Sequence, residues 1–296
     1  MTLEEHREKW TRKIISISDN FSEDSERVHG ELQSEIKKEG TDALLKHLRL
    51  CTAMPEEYSQ NSSEEKLYSK YTDSILSLAY VHIGMKSTVL TERADAADVI
   101  ANNDTISFVA DAKVFRLTRT AKNQKDFKVA AMDNWKHGKK HAMVVCPIYQ
   151  LPSKSSQIYR QATTRNVCIF SYLHLSTILR FSDVASKDKA QDLVEEIFTT
   201  VDMMNPTKSA VDYWTTVNNT MRKADKRILD IWASEKIEAE TALNLLKRMA
   251  TKHYVDQKHK ILNMTKDEAI NALMKNSKFD SRIKIIEKIG ISSELV

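Results

Sequence analysis

The spacing of apolar residues along the chain changes twice. Up to about residue 90 they recur at helical intervals. KWTRKIISI and GTDALLKHLRLC read as short amphipathic helices, and a polar break, PEEYSQNSS (55–63), follows them. SSEEKLYSKYTDSILSLAYVHIG then fits one long helix with Leu67, Tyr71, Ile75, Leu76 and Ala79 at helical spacing, and Ser62 or Ser63 can cap its free amides. From 98 to 170 the rhythm shortens: DVIA, TISFVADAKVF, AMVVCPIYQ and NVCIFSY are β-branched or aromatic runs parted by polar turns, which is strand behaviour. After about 175 helical spacing returns. Thr265-Lys266-Asp267-Glu268 is a capping box opening INALMKN, and Gly290 is a stop for SRIKIIEKI. The pattern predicts an α/β (α+β) fold with a small mixed sheet flanked by helices. It also predicts one domain over 1–296, with helical parts over 1–90 and 173–296 and the sheet within 91–172.

Alternation within ISFVADAKVF gives its strand two distinct faces. Ile106, Phe108, Ala110, Ala112 and Val114 form an apolar stripe, and Asp111 and Lys113 share the opposite face with Ser107, Val109 and Phe115. A carboxylate and an ammonium beside Val109 and Phe115 are costly to desolvate unless they are paired or metal-bound. Upstream, DVIA precedes the turn-prone Asn102-Asn103-Asp104. A four-residue hairpin loop there sets Ala101 against Ile106 and Asp98 against Val109, with Asp111 diagonal to Asp98 at roughly 7–8 Å. Two carboxylates so placed can share one hard cation such as Mg²⁺. An exposed ion pair is the competing account of Asp-x-Lys alone. A second triplet, Asp126-Phe127-Lys128, has no apolar alternation around it and resembles an exposed loop or helix start. A metal site needs a rigid floor, which only the first triplet offers.

Composition narrows the class. A hydrophobic fraction of 41% and a charged fraction of 29% suit a globular protein, and 5 Gly and 4 Pro fit long helices with few sharp turns. The formal net charge of +4 is too small to mark a polyanion binder, so local charge decides. Between 111 and 140 nine basic residues face three acids, and Arg116, Arg119, Lys122, Lys125 and Lys128 fall at every third position. That spacing drifts around a straight helix and suits an arm lying in or across a DNA groove, against the plainer alternative of a solvated charged face. Asn123, Lys125 and Asp126 are the side-chain types that read base edges. The N-terminus, MTLEEHREKW, lacks the apolar core of a signal peptide, and no run suits a membrane span. Three widely spaced cysteines, Cys51, Cys146 and Cys168, argue for reduced thiols in a cytoplasm, with Cys146 and Cys168 read as small buried hydrophobes.

DVIA, VADAK-x-FRL-x-RTAKNQKDFKV and the upstream EKL-x-SK together resemble the HindIII-type type II restriction endonucleases, most strongly over 62–170. TKDEAINALMK is a second patch of likeness. The resemblance implies a restriction-endonuclease-like PD-(D/E)xK core, a homodimer, Mg²⁺-dependent cleavage of double-stranded DNA at AAGCTT, and a cognate DNA methyltransferase in the host. Residue by residue, it places the metal-binding acids on Asp98 and Asp111 and the lysine on Lys113. The base-reading segment falls on Ala121, Asn123, Lys125 and Asp126. Arg116, Arg119 and Lys122 are then expected on the DNA backbone and the Ala112 carbonyl as a further metal ligand, with Mn²⁺ as a substitute ion. RADAAD lacks the glycines of the family segment, which makes Asp95 a rival first ligand. Glu65 aligns with a family Glu and is an additional active-site candidate.

Two other classes compete: a DNA-binding protein without catalysis, in which the basic ladder matters but Asp98 and Lys113 do not, and a mismatch-dependent repair nuclease of the same fold. His137 and His141 sit four apart but lack a third ligand and have cations next door, so an exposed turn is expected. His253 and His259 read as surface residues. Trp10, Trp135, Trp214 and Trp232 read as core or dimer contacts.

Overall fold

A computed structural model describes residues 1–17, 20–90, 96–119 and 123–277, with positions 283 and 286; Gln124, Lys125, Lys275 and Asn276 are described only as backbone. Helices α1 (Leu3–Ser16), α2 (Phe21–Glu39), α3 (Thr41–Leu50) and α4 (Ser63–His82) come first. Strands β1 (Lys86–Val89), β2 (Val99–Asn102) and β3 (Ser107–Ala112) follow. Short helices α5 (Gln124–Phe127) and α6 (Val129–Asn134) lead to β4 (His141–Cys146), and α7 (Gln157–Thr164) leads to β5 (Val167–Ser171). The remainder is helical: α8 (Tyr172–Val184), α9 (Lys187–Asp202), α10 (Ala210–Ala224), α11 (Arg227–Leu262) and α12 (Lys266–Ser277).

The strands form one sheet in the order β1-β2-β3-β4-β5. β1, β2 and β3 are antiparallel neighbours, whereas β3, β4 and β5 run parallel. Parallel pairing needs crossovers, which α5–α6 and α7 supply. The mixed sheet within helices is the one the residue pattern predicts, and its four runs become β2 to β5. β1 gave no signal because KSTV offers a single apolar residue, Val89, to the core. β3 sits centrally. Phe108 meets Tyr80 of α4 and Phe198 of α9 edge-on or tilted, and Val109 on the other face is as buried as Phe108. A strand covered on both sides is what the middle of such a sheet requires.

The hairpin register differs from the expected one. Ala101 pairs with Phe108, not Ile106, and Asn102 pairs with Ser107, so the four-residue loop runs over 103–106. The cause is Asn103, whose Oδ1 accepts from the backbone N–H of Thr105 at 3.0 Å and of Ile106 at 2.8 Å. This side-chain-closed turn fixes the loop one residue later than Asn102 would. A shift of two in register keeps every side chain on its face.

The chain divides into two compact units, Met1–Arg248 and Met249–Val296. All the site candidates among the described residues lie in the first. In the second, α12 opens on the expected capping box: the Thr265 N–H donates to Glu268 Oε2 at 2.8 Å, and the Glu268 N–H to Thr265 Oγ1 at 3.3 Å. Gly290 lies outside the described residues. The three cysteines are free and buried. Trp10 is core, and Trp135, Trp214 and Trp232 pack against it. His141 corrects the expected exposed turn: it is buried at the start of β4 and stacked on Phe198 at 4.8 Å, while His137 is exposed. No helix among the described residues is long and apolar enough to cross a membrane.

His174 offers a test of the core. Its ring stacks on Trp214 at 5.1 Å, Nδ1 meets Ser171 Oγ and Nε2 meets Asn218 Oδ1 at 2.9 Å. Burial pushes its pKa from 6.5 down to about 4. Between those values the unfolded chain binds a proton that the folded chain refuses, so this group's stabilisation is complete above pH 6.5 and is lost as pH falls toward 4. Urea unfolding across that window should show a decline of up to about 3 kcal/mol, and His174→Gln should flatten that limb.

Candidate metal centre and nucleic-acid interface

The Ser62 hydroxyl caps α4 by accepting from the Glu65 N–H at 3.2 Å, and the helix then packs against β1, β2 and β3. Continuing the β2–β3 register by one pair sets Asp98 directly opposite Asp111, closer than the diagonal relation expected. Asp73, from the buried stretch of α4, completes the group. One carboxylate oxygen from each of Asp73, Asp98 and Asp111 lies within 4.8 Å of the others.

Two ammonium groups face these three acids. Lys70, one turn before Asp73, places Nζ 2.6 Å from Asp98 Oδ1 and 3.3 Å from Asp73 Oδ2. Lys113 Nζ forms an ion pair with Asp111 Oδ2. Asp111 is 1% exposed and Asp73 2%. Burial raises the pKa of Asp73 well above the carboxylate range, with the Asp98 charge adding to it. Burial likewise raises Asp111, although Lys113 opposes the rise. Asp98 is also desolvated, but the charge and hydrogen bond of Lys70 together with the Lys113 charge outweigh this, and its pKa lies below the ordinary value. Three acids with two cations leave a deficit of positive charge. Asp111 Oδ2 is buried with no aligned hydrogen-bond donor, and hard oxygen donors of this kind suit a divalent cation. The group therefore fits a divalent metal.

The floor is rigid. The Lys113 N–H donates to the Val145 carbonyl at 2.7 Å, extending the β3–β4 ladder, and the Tyr172 hydroxyl donates to the Lys113 carbonyl at 3.1 Å. Ala112 ends β3 between the two charged residues.

The second triplet is built differently. Asp126 lies on α5, where its carboxylate accepts from the Asn123 N–H at 2.7 Å and pairs with Arg119 at 2.5 Å. It does not join the acidic group. Lys128 is exposed at a positive φ of 46°, with Nζ 5.3 Å from the Trp135 ring centre, and its charge still reaches Asp111. The basic ladder is not one helix. Arg116 is tied down, donating to Glu65 Oε1 at 2.9 Å and to the Tyr58 carbonyl at 2.7 Å. Glu65 is thereby engaged with Arg116 and the α4 N-terminus, and is not part of the acidic group. Asn123 is exposed. Asp95, Ala121 and Lys122 lie outside the described residues, and Lys125 is described only by its place on α5.

Sequence reasoning missed Asp73 and Lys70. Asp73 precedes Leu76 by three residues on the inner stripe of α4, and a lone acid in that position was the available signal.

An acidic trio and a lysine at the end of a central strand, beside a basic segment, are parts expected of a metal-dependent nuclease. The model of the HindIII restriction endonuclease family matches residues 7–290. The chain belongs to the HindIII restriction endonuclease family. It is 33% identical over 300 residues to the type II restriction enzyme HindIII of Haemophilus influenzae (strain ATCC 51907 / DSM 11121 / KW20 / Rd), a match covering 95% of this chain and 96% of that enzyme. Membership in the HindIII family makes the chain a DNA-acting nuclease of a restriction–modification system.

Proposed function

We propose that the chain is a type II restriction endonuclease that cuts both strands of AAGCTT and leaves 5′-phosphates. The observation that carries the catalytic part is the trio Asp73, Asp98 and Asp111 within 4.8 Å, with Lys113 paired to Asp111. Asp98 and Asp111 would hold Mg²⁺, helped by the Ala112 carbonyl, with Asp73 as a further oxygen donor and Mn²⁺ as a substitute ion. Bound there, the ion supplies polarisation of the scissile phosphate and lowers the pKa of a coordinated water. Lys113 positions or deprotonates the attacking water and stabilises the charge that develops on phosphorus. Its fixed carbonyl and amide hold the stem of that side chain at the end of β3.

Target reading falls to Ala121, Asn123, Lys125 and Asp126, with Arg119 and Lys122 on the phosphates. Arg116 acts chiefly by anchoring the start of this segment to α4 through Glu65. A palindromic target calls for a two-fold symmetric pair of chains and, in the host, a methyltransferase of the same specificity. Digesting DNA of known sequence with Mg²⁺ and mapping the ends tests the whole: fragments ending at AAGCTT are expected. Binding with no cutting would leave a DNA-binding protein, and cutting that requires mismatches would leave a repair nuclease.

Asp126→Ala removes both a reader of the cytosine amino group and the Arg119 anchor. Cleavage of AAGCTT compared with sites changed at one base should lose discrimination by roughly tenfold or more at the affected pair, with Arg119→Ala giving a weaker form of the same defect.

A further inference from the structure

The helices α1, α2 and α3 bring a second constellation together, which the nuclease reading does not use. His6, Glu35 and His47 each offer one donor atom, and the three atoms lie within 4.8 Å of one another. His6 and His47 are 1% and 0% exposed, and their rings meet edge-on with centroids 4.5 Å apart. His6 Nε2–H donates to Glu35 Oε1 at 2.8 Å, and Lys9 Nζ donates to Oε2 at 2.7 Å. His47 Nδ1 is bonded to the Tyr71 hydroxyl at 2.8 Å. His47 Nε2 is different: it points toward Glu35 Oε1 at 3.4 Å, is buried, and makes no hydrogen bond.

Neither tautomer of His47 satisfies that atom. If Nδ1–H donates to Tyr71, Nε2 aims a lone pair at a carboxylate oxygen. If Tyr71 donates to Nδ1, Nε2 carries a buried N–H without an aligned acceptor, which is costly. A cation between the imidazoles and the carboxylate resolves the first case and uses the Tyr71 bond to hold it. We propose that His6 Nε2, Glu35 Oε1 and His47 Nε2 form a binding site for a transition-metal ion of the zinc class, with Tyr71 as the residue that orients His47. Two imidazoles and a carboxylate are a donor set zinc takes, whereas Mg²⁺ prefers the all-oxygen group at Asp98 and Asp111. Binding requires the His6 ring to carry its proton on Nδ1, which leaves the Nε2 lone pair free for the ion. Burial already keeps His47 neutral, with its pKa pushed down to about 4. Burial opposes ionisation of Glu35, but its neighbours His47, His6 and Lys9 hold its pKa far below the ordinary value. Tyr71 stands between Lys70 and Asp73 on α4, so an ion here would brace the helix that carries both to the carboxylate trio.

The test uses the full chain, washed with chelator, equilibrated with Zn²⁺ in a large excess of Mg²⁺, desalted, and assayed for bound zinc by atomic emission. One equivalent per chain is expected, retained in Asp98→Asn/Asp111→Asn and lost to background in His6→Gln/His47→Gln. Tyr71→Phe should weaken zinc binding roughly 10–100-fold, the effect of removing a partner that orients a ligand. Since changing a buried histidine can unfold the chain, wild type with Co²⁺ in the same Mg²⁺ excess gives a second readout. A four-coordinate site with imidazole ligands gives an intense visible band, and an octahedral oxygen site gives a weak one. Wild type that retains no zinc overturns the proposal. So does zinc that survives in His6→Gln/His47→Gln but is lost from Asp98→Asn/Asp111→Asn, and so does a weak cobalt spectrum.

Discussion

Asp111→Asn should abolish DNA cleavage, by at least roughly 10²–10³-fold, and leave specific binding in Ca²⁺ measurable. The substitution keeps the shape of a side chain that is 1% exposed at the centre of the sheet, so β3 and its neighbours stay packed. What it removes is charge. Asp111 is the acid opposite Asp98 and the partner of Lys113, and an amide at that point is a poor ligand for a hard cation. Lys113→Ala should fail in the same way for a different reason: the carboxylates remain, and the group that handles the water and the developing charge is gone. Single-turnover cleavage in Mg²⁺ beside anisotropy titrations in Ca²⁺ separates chemistry from binding. A Lys128→Ala variant that alone stopped turnover, with Asp111→Asn still cutting, would transfer the chemistry to the second triplet.

The strand pattern carried the sheet and the acids just before β2 and on β3 because alternation and turn residues are local properties. The register was not legible to the residue. It depended on which of two adjacent asparagines closes the turn, and it is the Asn103 side chain that accepts from the Thr105 and Ile106 amides. Asp73 stayed hidden because a helical stripe reports which face is buried and not what that face meets. Its partners Asp98 and Asp111 arrive from strands 25 and 38 positions later. The counter-ions of the basic ladder were hidden for a related reason. Counting charge between 111 and 140 finds the cations but not their counter-ions, and Glu65 reaches Arg116 from 51 residues away. β1 lay below detection because an edge strand of four residues with one apolar side chain has almost no periodicity to show.

Lys70→Met should make the stability of the protein depend on metal. Lys70 bridges Asp98 and Asp73, and its side chain is only 19% exposed. Removing it leaves three acids, with oxygens within 4.8 Å, and Lys113 as the remaining ion-pair partner among the described residues. Losing one partner of a largely buried pair costs about 3 kcal/mol, and urea unfolding in chelator should show a deficit of that order at neutral pH. The pH dependence has a definite sign. Burial and the Asp98 charge already raise the pKa of Asp73 well above 3.8, and loss of Lys70 raises it further. A folded-state pKa above the unfolded one gives stability that is present in acid and lost as pH rises, so the deficit should grow from acid toward neutral pH. Added Mg²⁺ supplies the missing charge at the same place, and saturation should restore more stability to Lys70→Met than to wild type, by mass action on the folded state. Equal stability of the two proteins in chelator, with no difference in their response to Mg²⁺, would mean that Lys70 is an ordinary surface cation and that the trio does not behave as one electrostatic unit.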